Sequence, residues 1–235
     1  MKKLFREAFT FKESQCTIIV DKNSALQTAV ASIKRNRELL EEYGKATPKF
    51  LWTLKPISVP EEPEVAKLMA EAAAKANVGP MAAVAGILAD LAVKDMVAEG
   101  CEVAVIEDGG EISAVSNVPI DVAFAAGEEP LSKRFGFRLT EFPVGVATSS
   151  GRFSHALSFG DAEAATVFCR EAGLADAAAT AVGNVVKGED ANLAIDRGIE
   201  LAKSIQGVEG TLILFKGRVG TWGKIPQIIR VNPIT

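Results

Sequence analysis

Residues 175–181 read Ala-Asp-Ala-Ala-Ala-Thr-Ala. Asp176 and Thr180 are four apart, so on a helix they stack on one face, offset by about 40° around the axis. A carboxylate and a hydroxyl placed this way can reach one hard cation such as Mg²⁺. The alanines around them let another backbone approach closely. Spacing alone leaves a second reading open. Asp176 also suits a first helical turn, where the macrodipole favours an acid, and a helical Thr180 can bond back to its own backbone.

Three further segments carry residue types fit for chemistry. Thr148-Ser149-Ser150-Gly151 follows an apolar run and offers consecutive hydroxyls and free amides, a cradle for phosphate or the edge of a flavin ring. The same residues also make an ordinary turn. In Asp108-Gly109-Gly110-Glu111 the glycines permit positive φ or close approach of a ligand, as a hairpin turn also requires. Val78-Gly79-Pro80-Met81-Ala82-Ala83-Val84-Ala85-Gly86 puts small residues at a helix entrance, suited to an anion or to close helix packing. His155, the only histidine, follows the hydroxyl turn by a few residues; general base and satisfied histidine are both open. No Ser-His-Asp order, Walker loop or G-x-G-x-x-G occurs in a convincing context, which argues against an ordinary hydrolase, ATPase or dehydrogenase.

The elements that must position these residues follow from pattern. Phe5–Phe11 and Cys16–Val20 read as a hairpin. Ser24-x-x-Gln27 has the form of a capping box, opening a helix to about Tyr43 with Gly44 as its stop. Residues 45–60, with Pro48, Pro56 and Pro60, predict a loop or an edge strand around Phe50. Glu61–Ala76 reads as an exposed helix, open as a dimer face or plain surface, and Met81–Glu99 as a more buried one. Strands are expected at 103–106, 111–116, 120–126, 143–147, 164–169, 211–215 and 227–231. Residues 127–142 predict a loop or short strand, and Gly217, Gly220 and Gly223 a turn. Helices are expected near 174–186 and 190–205. The pattern is α+β in one unit, residues 1–235.

Composition bounds the function. At 48% hydrophobic and 24% charged, the chain is globular. A net charge of −4 with scattered basic residues gives no reason to expect nucleic acid or an anionic membrane. Lys34, Arg35 and Arg37 cluster on a helix and read as a solvated face. The N-terminus lacks the apolar stretch of a signal peptide, and the longest apolar stretch is too short to span a bilayer. A cytoplasmic location is expected. Three widely spaced cysteines and one histidine fit no usual zinc site, and buried, reduced thiols are expected.

The order of the segments resembles the ApbE family of FAD-dependent flavin transferases. A Gly-Gly turn, a Thr-Ser-Ser-Gly turn, a histidine and Ala-Asp-x-x-x-Thr-Ala follow one another as they do there, over roughly residues 78–186. The Gly-Pro-Met-Ala-Ala-Val-Ala-Gly segment is similar to a short ApbE-like branch found mainly in anaerobic archaea and sulfate-reducing bacteria. The resemblance implies a single ApbE-like, T-fold-related α+β domain with mixed or antiparallel sheets packed by helices. It implies Mg²⁺ on Asp176 and Thr180, and FAD lined by Gly109, Gly110, Thr148, Ser149, Ser150 and Gly151. It gives His155 and Asp176 catalytic roles in moving FMN to a protein threonine. The sequence departs from the family after His155, where Asp-Pro-x-Thr-Gly is missing. Ala85-Gly86-Ile87-Leu88-Ala89-Asp90 keeps only the glycine and aspartate of the family's Lys-Gly-Tyr-Ala-x-Asp. The branch also implies an alternative: an accessory protein of sulfur assimilation into homocysteine, partnered by a redox or sulfur-transfer protein. Small-molecule nucleotide or flavin binding and homo-oligomerisation are further expectations.

Overall fold

Alternating side chains at the N-terminus close into a hairpin of β1 (Phe5–Phe11) and β2 (Ser14–Val20). The computed structural model describes residues 3–123, 135–151 and 160–230. Next come α1 (Ala25–Ala46), α2 (Pro48–Trp52), α3 (Glu64–Ala76), a 3-10 turn (Pro80–Ala83) and α4 (Val84–Ala98). Strands β3 (Ala104–Asp108), β4 (Glu111–Val115), β5 (Ile120–Ala123), β6 (Phe135–Leu139), β7 (Val144–Ser149) and β8 (Ala164–Cys169) follow. The described chain ends with α5 (Ala172–Val185), α6 (Ala191–Ser204), β9 (Val208–Phe215), β10 (Arg218–Gly223) and β11 (Gln227–Arg230).

Eight strands form one sheet in the order β1-β2-β3-β4-β7-β8-β9-β10, and β11-β6-β5 form a second. Every described pairing is antiparallel. The helices cover one face of the large sheet and the small sheet covers part of the other. Period-two alternation therefore sorts the buried residues of the inner strands into two cores. Ala104 and Ile106 of β3 join a cluster with α1 and α4, whereas Val103 and Val105 join the cluster shared with β5 and β6. This explains the unbroken apolar run at 103–106, since a strand covered on both faces has no solvent side.

Several local expectations change. Ser24 makes no capping bond; it has helical φ and ψ, and its hydroxyl donates to Glu99 Oε1 at 2.7 Å. Gly44 does not stop α1, because a bare backbone there is what Leu51 packs against. The expected loop or edge strand at 48–52 is the short helix α2. Pro48 opens it, and Phe50 is fully buried edge-to-face with Tyr43, ring centroids 5.1 Å apart. α3 is not an exposed helix. Its alanines let it pack closely on α1, the 3-10 turn and α5, with Val65, Ala66, Met69 and Ala73 fully buried. Gly220 lies inside β10, so the last turn is made by Lys216 and Gly217 alone, both at positive φ. The solvated basic face of α1 is partly engaged: Arg35 pairs with Asp95 at 2.8 Å, and Lys34 lies over the rings of Phe9 and Phe11. No single described helix is long and apolar enough to cross a membrane.

Cys16, Cys101 and Cys169 are free and buried, as expected. Burial pushes all three thiols up, Cys169 to about 12, and Asp108 adds to the effect at Cys16. A thiol so raised holds little nucleophilic thiolate. Native protein at mildly alkaline pH is therefore expected to resist iodoacetamide, with all three thiols labelled only after unfolding in urea. Rapid labelling of folded protein, read by mass spectrometry, would contradict this.

Candidate functional site

Helix α5 carries the Asp176 and Thr180 pair, and both side chains are half-buried. Asp176, Thr180 and Gly183 form one stripe along the helix. At one end of this stripe, Asp176 Oδ2 accepts the Gly86 N–H at 3.1 Å, at the start of α4. At the other, a Cβ on Gly183 would lie 3.2 Å from Ser149 Oγ. The stripe therefore runs from the entrance of α4 to the end of β7.

The four residues of the hydroxyl turn separate. On β7, Ala147 belongs to the helix-side core and Val146 to the core on the opposite face. By alternation Ser149 faces α5 and Thr148 faces away, where its Oγ1 lies 2.9 Å from Thr166 Oγ1. Ser150 is buried, and the Gly151 N–H donates to Ala162 O at 2.9 Å. Gly151 allows a backbone approach: a Cβ there would sit 2.1 Å from Gly160 O. His155 lies outside the described residues.

Gly109 and Gly110, at φ +68° and +118°, close the β3–β4 hairpin, with Asp108 paired opposite Glu111. A Cβ on Gly110 would meet nothing within 4 Å, so the tip is open. The register turns Asp108 and Glu111 toward the helix layer. Asp108 Oδ1 accepts the Gln15 N–H at 2.9 Å. Glu111 meets the field of Asp176 and Asp108.

Burial and mutual repulsion favour the protonated carboxyls here. Burial pushes the Asp176 carboxyl up to about 7; the Gly86 amide opposes the shift, and Asp108 and Asp90 add to it. Burial, then Asp176 and Asp108, hold Glu111 well above the usual carboxylate range. No group of three or more His, Cys, Asp or Glu among the described residues is arranged to hold a metal by itself. What the site offers is one carboxylate met by the Gly86 and Ala85 amides, a hydroxyl a turn away, and neighbouring acids that a cation would relieve.

The clustering of Asp108 and Glu111 with Asp176 was missed by motif reading, which noted only the glycines between them. The available signal was their cross-strand pairing across a two-residue hairpin. Asp90, matched above to the family's helix motif, has a role that spacing did not give: it caps α5 by accepting the Ala172 and Gly173 N–H groups at 3.0 and 2.9 Å.

The fold is that of the ApbE-like class. The chain is similar to the flavinyl transferase ApbE of Pseudomonas stutzeri, at TM-score 0.57 and 14% identity over 94% of each chain. It is also similar to the ApbE protein of Thermotoga maritima, at TM-score 0.58 and 13% identity over 97% of each. At these identities the likeness concerns the fold. A family described as AbpE bacteria matches residues 2–206. The UPF0280 protein of Methanococcus vannielii is 38% identical, covering 98% of this chain and 95% of that one. The UPF0280 protein of Methanosarcina acetivorans is also 38% identical, over 97% and 90%. The chain belongs to the ApbE-like superfamily, within the family of the UPF0280 proteins.

Proposed function

We propose that this protein is a flavin transferase that binds FAD together with Mg²⁺ and passes FMN to a protein hydroxyl, a phosphoester forming as the FAD pyrophosphate breaks and AMP leaves. The observation that carries the reading is the Asp176 carboxylate. It is held by the Gly86 amide on one oxygen, stands one turn from Thr180, and is buried where Asp108 and Asp90 push it up and where its own charge pushes up Glu111. This donor set fits Mg²⁺, which takes one or two carboxylates and completes its shell with water and substrate phosphate. Asp176 and Thr180 would hold the ion. When bound, it supplies positive charge against the FAD pyrophosphate.

The chain's own groups have separate tasks. The Gly86 N–H orients the Asp176 carboxylate. Ser149, on the α5 side of β7, supplies a hydroxyl for phosphate. Gly109 and Gly110 present an open backbone tip, while Ser150 and Gly151 are assigned to the FAD site on the resemblance. Thr148 acts through its pairing with Thr166, holding the end of β7 against β8. His155 is assigned to orienting phosphate or assisting proton transfer, on the resemblance alone. Nothing among the described residues favours the role in sulfur assimilation.

The test is calorimetric titration of FAD into the protein with and without Mg²⁺, followed by mass spectrometry of a threonine-bearing acceptor. Binding that requires Mg²⁺ and a mass gain equal to FMN less one water is expected. No binding at millimolar FAD with Mg²⁺ present would end this reading. Because Asp176 must be ionised to hold the cation, Mg²⁺-dependent affinity should rise as pH passes upward through about 7.

A further inference from the structure

Helices α4 and α5 cap one another. Neither has a working cap of its own: the residues before them, Ala83 and Glu171, make no side-chain capping bond. The first amides of a helix have no intrahelical acceptor and need one from elsewhere. For α5 that acceptor is Asp90, one turn beyond Gly86 on α4. Asp90 Oδ1 accepts Ala172 N–H at 3.0 Å and Ser113 Oγ–H at 2.7 Å, while Oδ2 accepts Gly173 N–H at 2.9 Å. For α4 the acceptor is Asp176, three residues past Gly173, through the 3.1 Å bond to Gly86. The result is a closed ring: Gly86, a helical turn to Asp90, a hydrogen bond to Gly173, most of a turn to Asp176, and a hydrogen bond back to Gly86.

The ring is tight because glycines stand where the helices cross. A Cβ on Gly86 would lie 2.3 Å from Ala172 O, and one on Gly173 would lie 2.2 Å from Ile87 Cδ1. Ser113 extends the ring to β4, whose first residue is Glu111.

We propose that Asp90 is a positioning residue for the Asp176 site. By pinning the first turn of α5 to α4 and β4, it sets the height at which Asp176 meets the Gly86 amide. It thereby decides which carboxylate oxygen is left for a ligand. Asp90 itself is not a ligand, because both its oxygens already serve three protein donors. This assignment rests on the Mg²⁺ and FAD reading above, but its geometric half stands independently of it.

The experiment uses Asp90→Asn in the full chain. The asparagine amide would turn a donor toward one of the α5 amides and break that bond at almost unchanged volume. Two quantities are read: hydrogen exchange at the Gly86 amide, and the factor by which Mg²⁺ raises FAD affinity. Gly86 is expected to exchange faster while the amides of β8 stay protected. The Mg²⁺ enhancement should fall by about 10- to 100-fold, as when a group supporting a metal ligand is lost. FAD affinity without Mg²⁺ should be little changed, a split that general destabilisation would not produce. A folded variant with unchanged Gly86 exchange, or with unchanged Mg²⁺ enhancement, overturns the proposal. If wild-type protein shows no Mg²⁺ enhancement, the flavin reading falls, and the Gly86 amide still decides whether Asp90 positions α5. Should Asp90→Asn fail to fold, Ser113→Ala removes only the 2.7 Å bond and must move both readouts in the same direction.

Discussion

Replacing Asp176 by asparagine is expected to remove Mg²⁺-dependent FAD binding while leaving the protein folded and, above neutral pH, more stable than wild type. Asparagine keeps a carbonyl oxygen for the Gly86 amide, so the cap on α4 survives. It removes the charge that the cation would bind and that Glu111 and Asp108 oppose. Loss of a charged metal ligand should cost at least about 100-fold in Mg²⁺-dependent affinity, the upper end of what loss of a mere supporting group costs. The pH dependence has a definite sign. Asp176 titrates near 7 in the folded chain against a usual 3.8, so the folded state holds the extra proton between those values. Its contribution to stability is complete below the lower value and is lost as pH rises through about 7. The asparagine variant lacks that loss, and its melting temperature should gain on wild type as pH rises through this window. Scanning calorimetry checks the stability and FAD titration checks the site. A variant that still binds FAD as tightly with Mg²⁺ would show the carboxylate to be purely structural.

Gly86→Ala should destabilise the protein, against what helix propensity alone predicts. In an exposed helix the change gains about 1 kcal/mol. Here the new methyl would stand 2.3 Å from the carbonyl oxygen of Ala172, with Ala172 C and Gly173 N at 2.5 and 2.7 Å. All three are backbone atoms of the first turn of α5, so no rotamer change can relieve the contact. Overpacking costs of about 1–3 kcal/mol are typical, and a backbone clash belongs at the upper end. The net loss should appear in urea unfolding as a lower midpoint with an unchanged slope. Because the strain falls on the turn that leads to Asp176, Mg²⁺-dependent FAD affinity should fall with it. A stability equal to or above wild type would mean that α4 and α5 move apart freely, and would undercut the ring of hydrogen bonds between them.

Features set by neighbours in the chain were legible from the residues alone. The β1–β2 hairpin, the two-glycine turn before Glu111, the both-sided burial of 103–106 and the span of α5 all follow from periodicities and turn chemistry. So does the placing of Asp176 and Thr180 on one helical face. Local rules misled where a distant contact outweighed them. Ser24 gives its hydroxyl to Glu99, 75 residues away, and α3 looks like a surface helix until the elements that bury its alanines are in place.

What that reading by itself determined was the α+β architecture and the pair on α5, because each depends on spacing within a few turns or strands, while the superfamily came from the resemblance of the ordered motifs. Only the tertiary structure decided that Ser149 faces α5 while Thr148 faces away, that Asp108 and Glu111 crowd Asp176, and that Asp90 and Asp176 cap each other's helices. Those bonds join residues 82 to 90 positions apart. The reason is physical: a carboxylate's role depends on which amides and charges lie within a few ångströms, and no spacing along one element specifies what another brings to it.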